Sequence, residues 1–139
     1  MTAKILNLKN PDTYTENIKL AADALLSGKI VAFPTETVYG LGVCSDNSAA
    51  INNLYSVKQR SRDKKLSIMI SQPEEVTRYV KPIPLIARKL ISAFWPGPLT
   101  IILELDDKST VGLRNPDNRV IRDLINAVEI PIASTSANI

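Results

Sequence analysis

Histidine is absent from all 139 residues, and that absence limits the chemistry more than any other feature. Without an imidazole there is no Ser-His-Asp or Cys-His arrangement and no histidine metal ligand. Cysteine is almost as scarce: Cys44 stands alone, which excludes an internal disulfide and any multi-cysteine metal site. It reads as a small packed residue near a sheet rather than a nucleophile. No run approaches the ~18 apolar residues of a spanning helix, so no membrane association is expected. Met1–Asn7 carries no apolar stretch of the secretory-leader type, so the cytoplasm is the expected compartment. There is no internal repeat, low-complexity tract or linker, and no carboxylate cluster suggestive of a dedicated metal cage. Any catalysis must rest on carboxylates, hydroxyls, amines and guanidiniums, or on positioning and charge alone.

What remains is an ordinary globular composition, with 45% hydrophobic and 22% charged residues. The length suits one domain, residues 1–139. The net charge of +3 permits an anionic ligand without by itself implying nucleic acid.

The chain alternates strand and helix signals. Asn10-Pro11-Asp12-Thr13 starts a helix whose Ile18, Ala21, Ala22, Leu25 and Leu26 share a face, and Gly28 stops it. Lys29–Phe33 reads as a buried strand ended by Pro34, followed by a polar, glycine-containing loop over Pro34–Gly42. Ser45–Ser48 offers caps for a second helix with Ile51, Leu54, Tyr55 and Val57 inward. Leu66–Ile70 predicts a strand, Pro73–Val76 a short helix, and Leu85–Phe94 a longer one. Trp95 before Pro96-Gly97-Pro98 reads as a core plug under a rigid turn. Leu99–Leu105 is the clearest strand, Asp106–Ser109 its turn, and Val111–Leu113 a short strand delivering Arg114. Val120, Ile121, Leu124, Ile125 and Val128 mark a last helix, and Ile130–Ala133 a last strand, with Pro131 near its start or on an edge. The expected fold class is α/β: an open, twisted, mixed sheet with packed helices.

The candidate site residues lie after strands: Thr35–Thr37, Thr100, Arg114 and Ser134–Asn138. Facing them would be Lys58-Gln59-Arg60-Ser61-Arg62-Asp63-Lys64-Lys65, in which five of eight residues are cationic. A strand running into hydroxyls, a carboxylate and glycines is how an open sheet builds a ligand crevice. Guanidinium and ammonium groups across it suit a polyanion such as ATP. Each piece also has a plain alternative, a polar turn for the first and a solvated charged face for the second.

Five strings in order resemble the YrdC-like family of threonylcarbamoyl-AMP synthases. They are Pro34-Thr35-Glu36-Thr37-Val38-Tyr39-Gly40-Leu41-Gly42, Leu54–Arg60, Phe94–Thr100, Val111–Arg114 and Ser134–Asn138. The resemblance implies a mixed sheet with a concave, basic nucleotide-binding face. It implies synthesis of threonylcarbamoyl-AMP and pyrophosphate from L-threonine, bicarbonate and ATP, with Mg²⁺ arriving on the ATP. The product would pass to a transferase that modifies tRNA adenosine. By the same resemblance Lys58, Arg60, Ser136 and Asn138 form a nucleotide-holding tetrad, joined near ATP by Lys64 and Thr100. Thr35, Arg114 and Ser134 fall to threonine, and no catalytic side chain is assigned.

The chain departs from the family pattern at Ser61, at Lys64-Lys65 and at Met69, where many members carry proline, asparagine-proline and histidine respectively. Family domains also continue beyond the serine-x-asparagine. A shortened domain is therefore expected, with Ile139 beside the site and an exposed sheet edge over Pro131–Ile139 able to form a homodimer. Two other functions stay open: a non-catalytic YrdC-like RNA-binding module, and a carbamoyl-transfer domain of the kind found in hydrogenase maturation. The basic run lacks interleaved aromatics, which weakens the RNA reading.

Overall fold

The computed structural model describes residues 2–138. Its core is a six-stranded mixed sheet of β1 (Val31–Phe33), β2 (Gly40–Cys44), β3 (Ser67–Met69), β4 (Ile101–Glu104), β5 (Thr110–Arg114) and β6 (Ile132–Ser136). Their spatial order is β1-β2-β6-β3-β5-β4. Only β3 and β5 run parallel; every other neighbouring pair is antiparallel. The open mixed α/β sheet expected from the pattern is the one that forms.

Side chains alternate across the sheet and divide the core in two. One face presents Phe33, Cys44, Met69 and Ile132 to α1 (Tyr14–Leu26) and α4 (Arg119–Val128). The opposite face presents Val43 and Ala133 to α2 (Ser48–Lys58), and Ile101, Leu103 and Leu113 to the region of α3 (Leu85–Phe94). In α4, Ile121, Leu124, Ile125 and Val128 are all buried, each stabilising the fold by roughly 1.5–3 kcal/mol. Asn118 caps this helix, its Oδ1 accepting from the Val120 and Ile121 amides at 2.9 and 3.4 Å. Asn47 does the same for α2 through the Ala50 amide at 3.0 Å. In α1 the inward face is Tyr14, Ile18, Ala22 and Leu25, while Leu26 is exposed. Val57 likewise points outward, one residue before α2 ends.

Three expectations need correction. Gly40 and Gly42 are strand residues, not loop residues, and their glycines answer to crowding rather than to unusual torsions. The Phe33 ring lies across both: a Cβ on Gly40 would sit 2.7 Å from Phe33 Cζ, and one on Gly42 2.5 Å from Ile132 Cγ2. Pro73–Arg78 is a 3₁₀ helix. Finally, β6 is interior, paired with β2 along its length and with β3 from Ile132 to Ser134. The edge strands are β1 and β4, and only Thr135 and Ser136 lack a β3 partner. The edge expected over Pro131–Ile139 is therefore absent up to Ser134, because antiparallel pairing on both sides uses its backbone groups. Ile139 lies outside the described residues.

Trp95 is buried and its indole N–H donates to the Leu99 carbonyl at 2.8 Å. It thus fills the core beneath the Pro96–Pro98 turn, as its position suggested. Buried Asn115 ties three segments together: its amide donates to the Ile70 carbonyl at 3.1 Å, and its carbonyl accepts from Gly97 N–H at 2.9 Å.

Candidate functional site

The sheet register defines the site's floor. Gly42, Ser134, Ser67, Gly112 and Ile102 stand opposite one another across five strands and so share one face. This is the face that α1 and α4 cover; their core reaches over Gly40 and Gly42 through the Phe33 ring, but on β6 and β3 it stops one row away, at Ile132 and Met69. Small residues in the next row keep the floor low. The exposed Thr100 overhangs it from the β4 side, its Cγ2 set to lie 3.3 Å from a Cβ placed on Gly112.

One group of polar residues gathers at the end of β6. The Lys58 ammonium donates to the Asn138 carbonyl. The Ser136 hydroxyl donates to Asn138 Oδ1 at 2.6 Å. Arg60 is half-buried and already well used: Nε donates to the Lys64 carbonyl at 2.8 Å, Nη2 to the Lys65 carbonyl at 2.9 Å and Nη1 to Thr135 Oγ1 at 3.3 Å. It staples the basic loop onto β6 and retains two N–H donors for other partners. Lys64 is exposed and contributes its carbonyl to Arg60 and to the Tyr55 hydroxyl. Arg62 stacks on the Tyr55 ring at 4.5 Å and donates to Asn52 Oδ1 at 2.7 Å, on the surface.

A second group forms where the Thr35–Val38 loop meets the end of β5. Thr35 Oγ1 donates to the Val38 carbonyl at 2.6 Å, accepts from the Thr37 amide at 3.1 Å, and lies 3.1 Å from Thr37 Oγ1. Arg114 Nη2 donates to Thr37 Oγ1 at 3.3 Å and to the Glu36 carboxylate. The other Glu36 oxygen accepts from the Asp117 amide. The Arg114 side chain is only 12% exposed, and its buried Nε has no acceptor among the described residues. Ser134 is buried between the groups, its hydroxyl 3.4 Å from the Ser67 carbonyl.

The candidates thus separate into Lys58, Arg60, Ser136 and Asn138 at β6, and Thr35 and Arg114 beside β5, with Ser134 on the floor and Thr100 on the rim. From β6 to β5 is two strand spacings, roughly 10 Å. Composition and spacing missed Glu36 as a partner of Arg114, since the two are 78 positions apart. The only signal was an acid inside a strand-end loop. Cys44 is buried, and burial, then Asp46, pushes its thiol pKa up, which makes it a poor nucleophile. Among the described residues no group of acidic, histidine or cysteine side chains could hold a metal ion.

An open mixed sheet with helices packed on both faces and polar and cationic groups near its strand ends makes this an α/β domain. A family model described as telomere recombination, embracing the Sua5, YciO and YrdC proteins, matches residues 23–139. The chain belongs to that family. It is 40% identical over 131 residues to the threonylcarbamoyl-AMP synthase of Pyrococcus abyssi, covering 88% of this chain and 38% of the relative. It is 36% identical over 137 residues to that of Bacillus subtilis, covering 91% and 40% respectively. The crystal structure of P. abyssi Sua5 complexed with L-threonine superposes with a TM-score of 0.83 at 39% identity, covering 88% of this chain and 39% of that one. The chain thus spans about two fifths of the length of these relatives.

Proposed function

We propose that this chain binds L-threonine and ATP on the uncovered face and forms threonylcarbamoyl-AMP. The observation that carries the reading is the Arg114 guanidinium, mostly buried with its Nε lacking an acceptor among the described residues, across the floor from the Lys58, Ser136 and Asn138 group. A buried charged donor without a partner is costly, and a carboxylate is the acceptor a guanidinium fits best. The threonine carboxylate supplies that acceptor. From Arg114 to Ser136 is two strand spacings across and four residues along β6, roughly 16 Å, which leaves room for the carbamate and the triphosphate. The threonine-bound relative and the names of the homologues support the assignment.

The chemistry needs no protein nucleophile. The threonine amine and bicarbonate condense to a carbamate with loss of water. A carbamate oxygen attacks the α-phosphorus, the bond to the β-phosphate oxygen breaks, and pyrophosphate leaves. Lys58 and the two open N–H groups of Arg60 neutralise phosphate charge, Lys64 borders the nucleotide, and Ser136 and Asn138 orient it, while Thr100 lies at the Arg114 end, on the β4 side. Thr35 shapes the threonine end, with Ser134 beneath it. Mg²⁺ enters with the phosphates of ATP, since the described side chains offer no cage for it. The product is a mixed anhydride, which a cytoplasmic transferase consumes in modifying tRNA adenosine.

Release of pyrophosphate from ATP tests this. It should require threonine and bicarbonate together, and release with either one omitted would overturn the reaction. RNA binding without any such release would instead favour a non-catalytic module.

A further inference from the structure

We propose that Glu36 is the positioning residue for Arg114: it fixes the guanidinium so that its unpaired donors face the substrate carboxylate. This rests on the reading of Arg114 as the carboxylate-binding group.

Both Glu36 oxygens are committed, one to Arg114 Nη2 and one to the Asp117 backbone N–H. One carboxylate therefore ties the last residue of β5 to the turn leading into α4. The Glu36 side chain is 21% exposed, partly shielded by these contacts although the residue itself lies at the surface. The loop carrying Glu36 is held independently of them. The Thr35 hydroxyl donates to the Val38 carbonyl at 2.6 Å and accepts from Thr37 N–H at 3.1 Å. That leaves the Thr37 hydroxyl to donate to Thr35 Oγ1 at 3.1 Å while it accepts from Arg114 Nη2 at 3.3 Å. The donors run in one direction, Arg114 to Thr37 to Thr35 to Val38, and each bond polarises the next.

The same contacts decide against Glu36 as a plug that substrate displaces. A plug would occupy every free donor of the guanidinium, yet among the described residues Glu36 takes only Nη2 and Nε stays without an acceptor. Displacing Glu36 would also strip the Asp117 amide of its partner. The carboxylate instead anchors one corner of the guanidinium and leaves its remaining donors uncommitted among the described residues.

The test compares wild type with Glu36→Gln, which keeps shape but replaces one acceptor oxygen with an NH₂ facing a donor. Three quantities are read: KM and kcat for threonine, ATP affinity, and the Arg114 Nε–H resonance in ¹⁵N-labelled protein. Loss of one charge-assisted bond should raise KM for threonine about tenfold or more, with ATP affinity unchanged. The Nε–H signal should be sharp and protected from exchange in wild type, and broadened or lost in the variant. A variant that binds threonine more tightly would identify a plug and overturn the proposal. Equal weakening of both substrates would reduce Glu36 to a general structural tie and overturn it too. A wild type with a sharp Nε–H signal that Glu36→Gln abolishes, but no response to threonine, would support the positioning contact and overturn the substrate assignment. An unchanged Nε–H signal in the variant would overturn the positioning role whatever threonine does.

Discussion

Arg60 and Arg62 stand two residues apart in one basic run, and their surroundings lead to opposite expectations. Arg60 donates to two carbonyls of its own loop and to Thr135 of β6. Arg62 lies on the surface, over the Tyr55 ring and beside Asn52. Removing Arg60 frees the Lys64 and Lys65 carbonyls, but both residues are exposed and water can replace the lost donor. Its folding cost therefore falls near the low end for charged hydrogen bonds, about 1.5 kcal/mol. Its effect on ATP comes on top, because the staple holds the loop against β6, where Lys58 meets Asn138. Loss of one phosphate contact would weaken ATP by another ~1.5–3 kcal/mol, on the order of ten- to a hundredfold. Arg62→Ala should cost ~1 kcal/mol or less in stability and leave ATP binding nearly unchanged. Urea unfolding and calorimetric ATP titration of both variants, with Arg60→Lys as a third, provide the measurement. The lysine keeps the charge but not the three-way fork, so it should recover only part of the ATP affinity. Equal losses of ATP affinity for Arg60→Ala and Arg62→Ala would refute the reasoning and replace a defined contact with a diffuse basic surface.

Gly42→Ala should destabilise the protein by about 1–3 kcal/mol through overpacking, since the new methyl meets Ile132, Phe33 and the Ala133 carbonyl at 2.5, 2.7 and 3.3 Å; thermal melting checks it. Thr35→Ala should raise KM for threonine, by at least roughly fivefold for the ~1 kcal/mol of one lost bond, and spare ATP binding, because Thr35 organises the Glu36 loop and not the β6 group; steady-state kinetics with each substrate varied reads this out. Tyr14 donates to Asp123 at 2.7 Å, and burial, followed by that hydrogen bond, raises its pKa to about 12. A raised phenol favours the neutral folded state, so its stability contribution is complete below about pH 10 and is lost as pH rises through about 12. Tyr14→Phe should flatten that part of a stability-against-pH curve, and an identical curve for both proteins would show that the titration lies elsewhere.

Much of this architecture is visible in the amino-acid order because its signals are local. The apolar spacing from Ile121 to Val128, the Gly28 stop with its positive φ of 84°, and the Asp106–Ser109 turn between β4 and β5 each depend on a few neighbouring residues. β2 is hidden because Gly40-Leu41-Gly42 has a loop's composition, and the reason for its glycines is the Phe33 ring, supplied by a different strand. The interior place of β6 is hidden for a similar reason. Pro131 admits either a strand start or an edge, and it stands at the start, just before the paired residues, with its missing N–H outside the ladder. Within the site, Lys58 and Asn138 meet although 80 positions apart, and family likeness alone had joined them. The Glu36 contact with Arg114 has no local signature, since its partner is chosen by the loop's path over the sheet.

The central claim is that threonine and ATP meet on this face through a carbamate, and labelled bicarbonate tests it most directly. The protein is incubated with ATP, L-threonine and carbon-13 bicarbonate, and the nucleotides are resolved by mass spectrometry. The expected product is threonylcarbamoyl-AMP heavier by one mass unit than that from unlabelled bicarbonate, formed together with pyrophosphate. AMP or ADP formed without a labelled adduct, in a protein that binds both substrates, would contradict it.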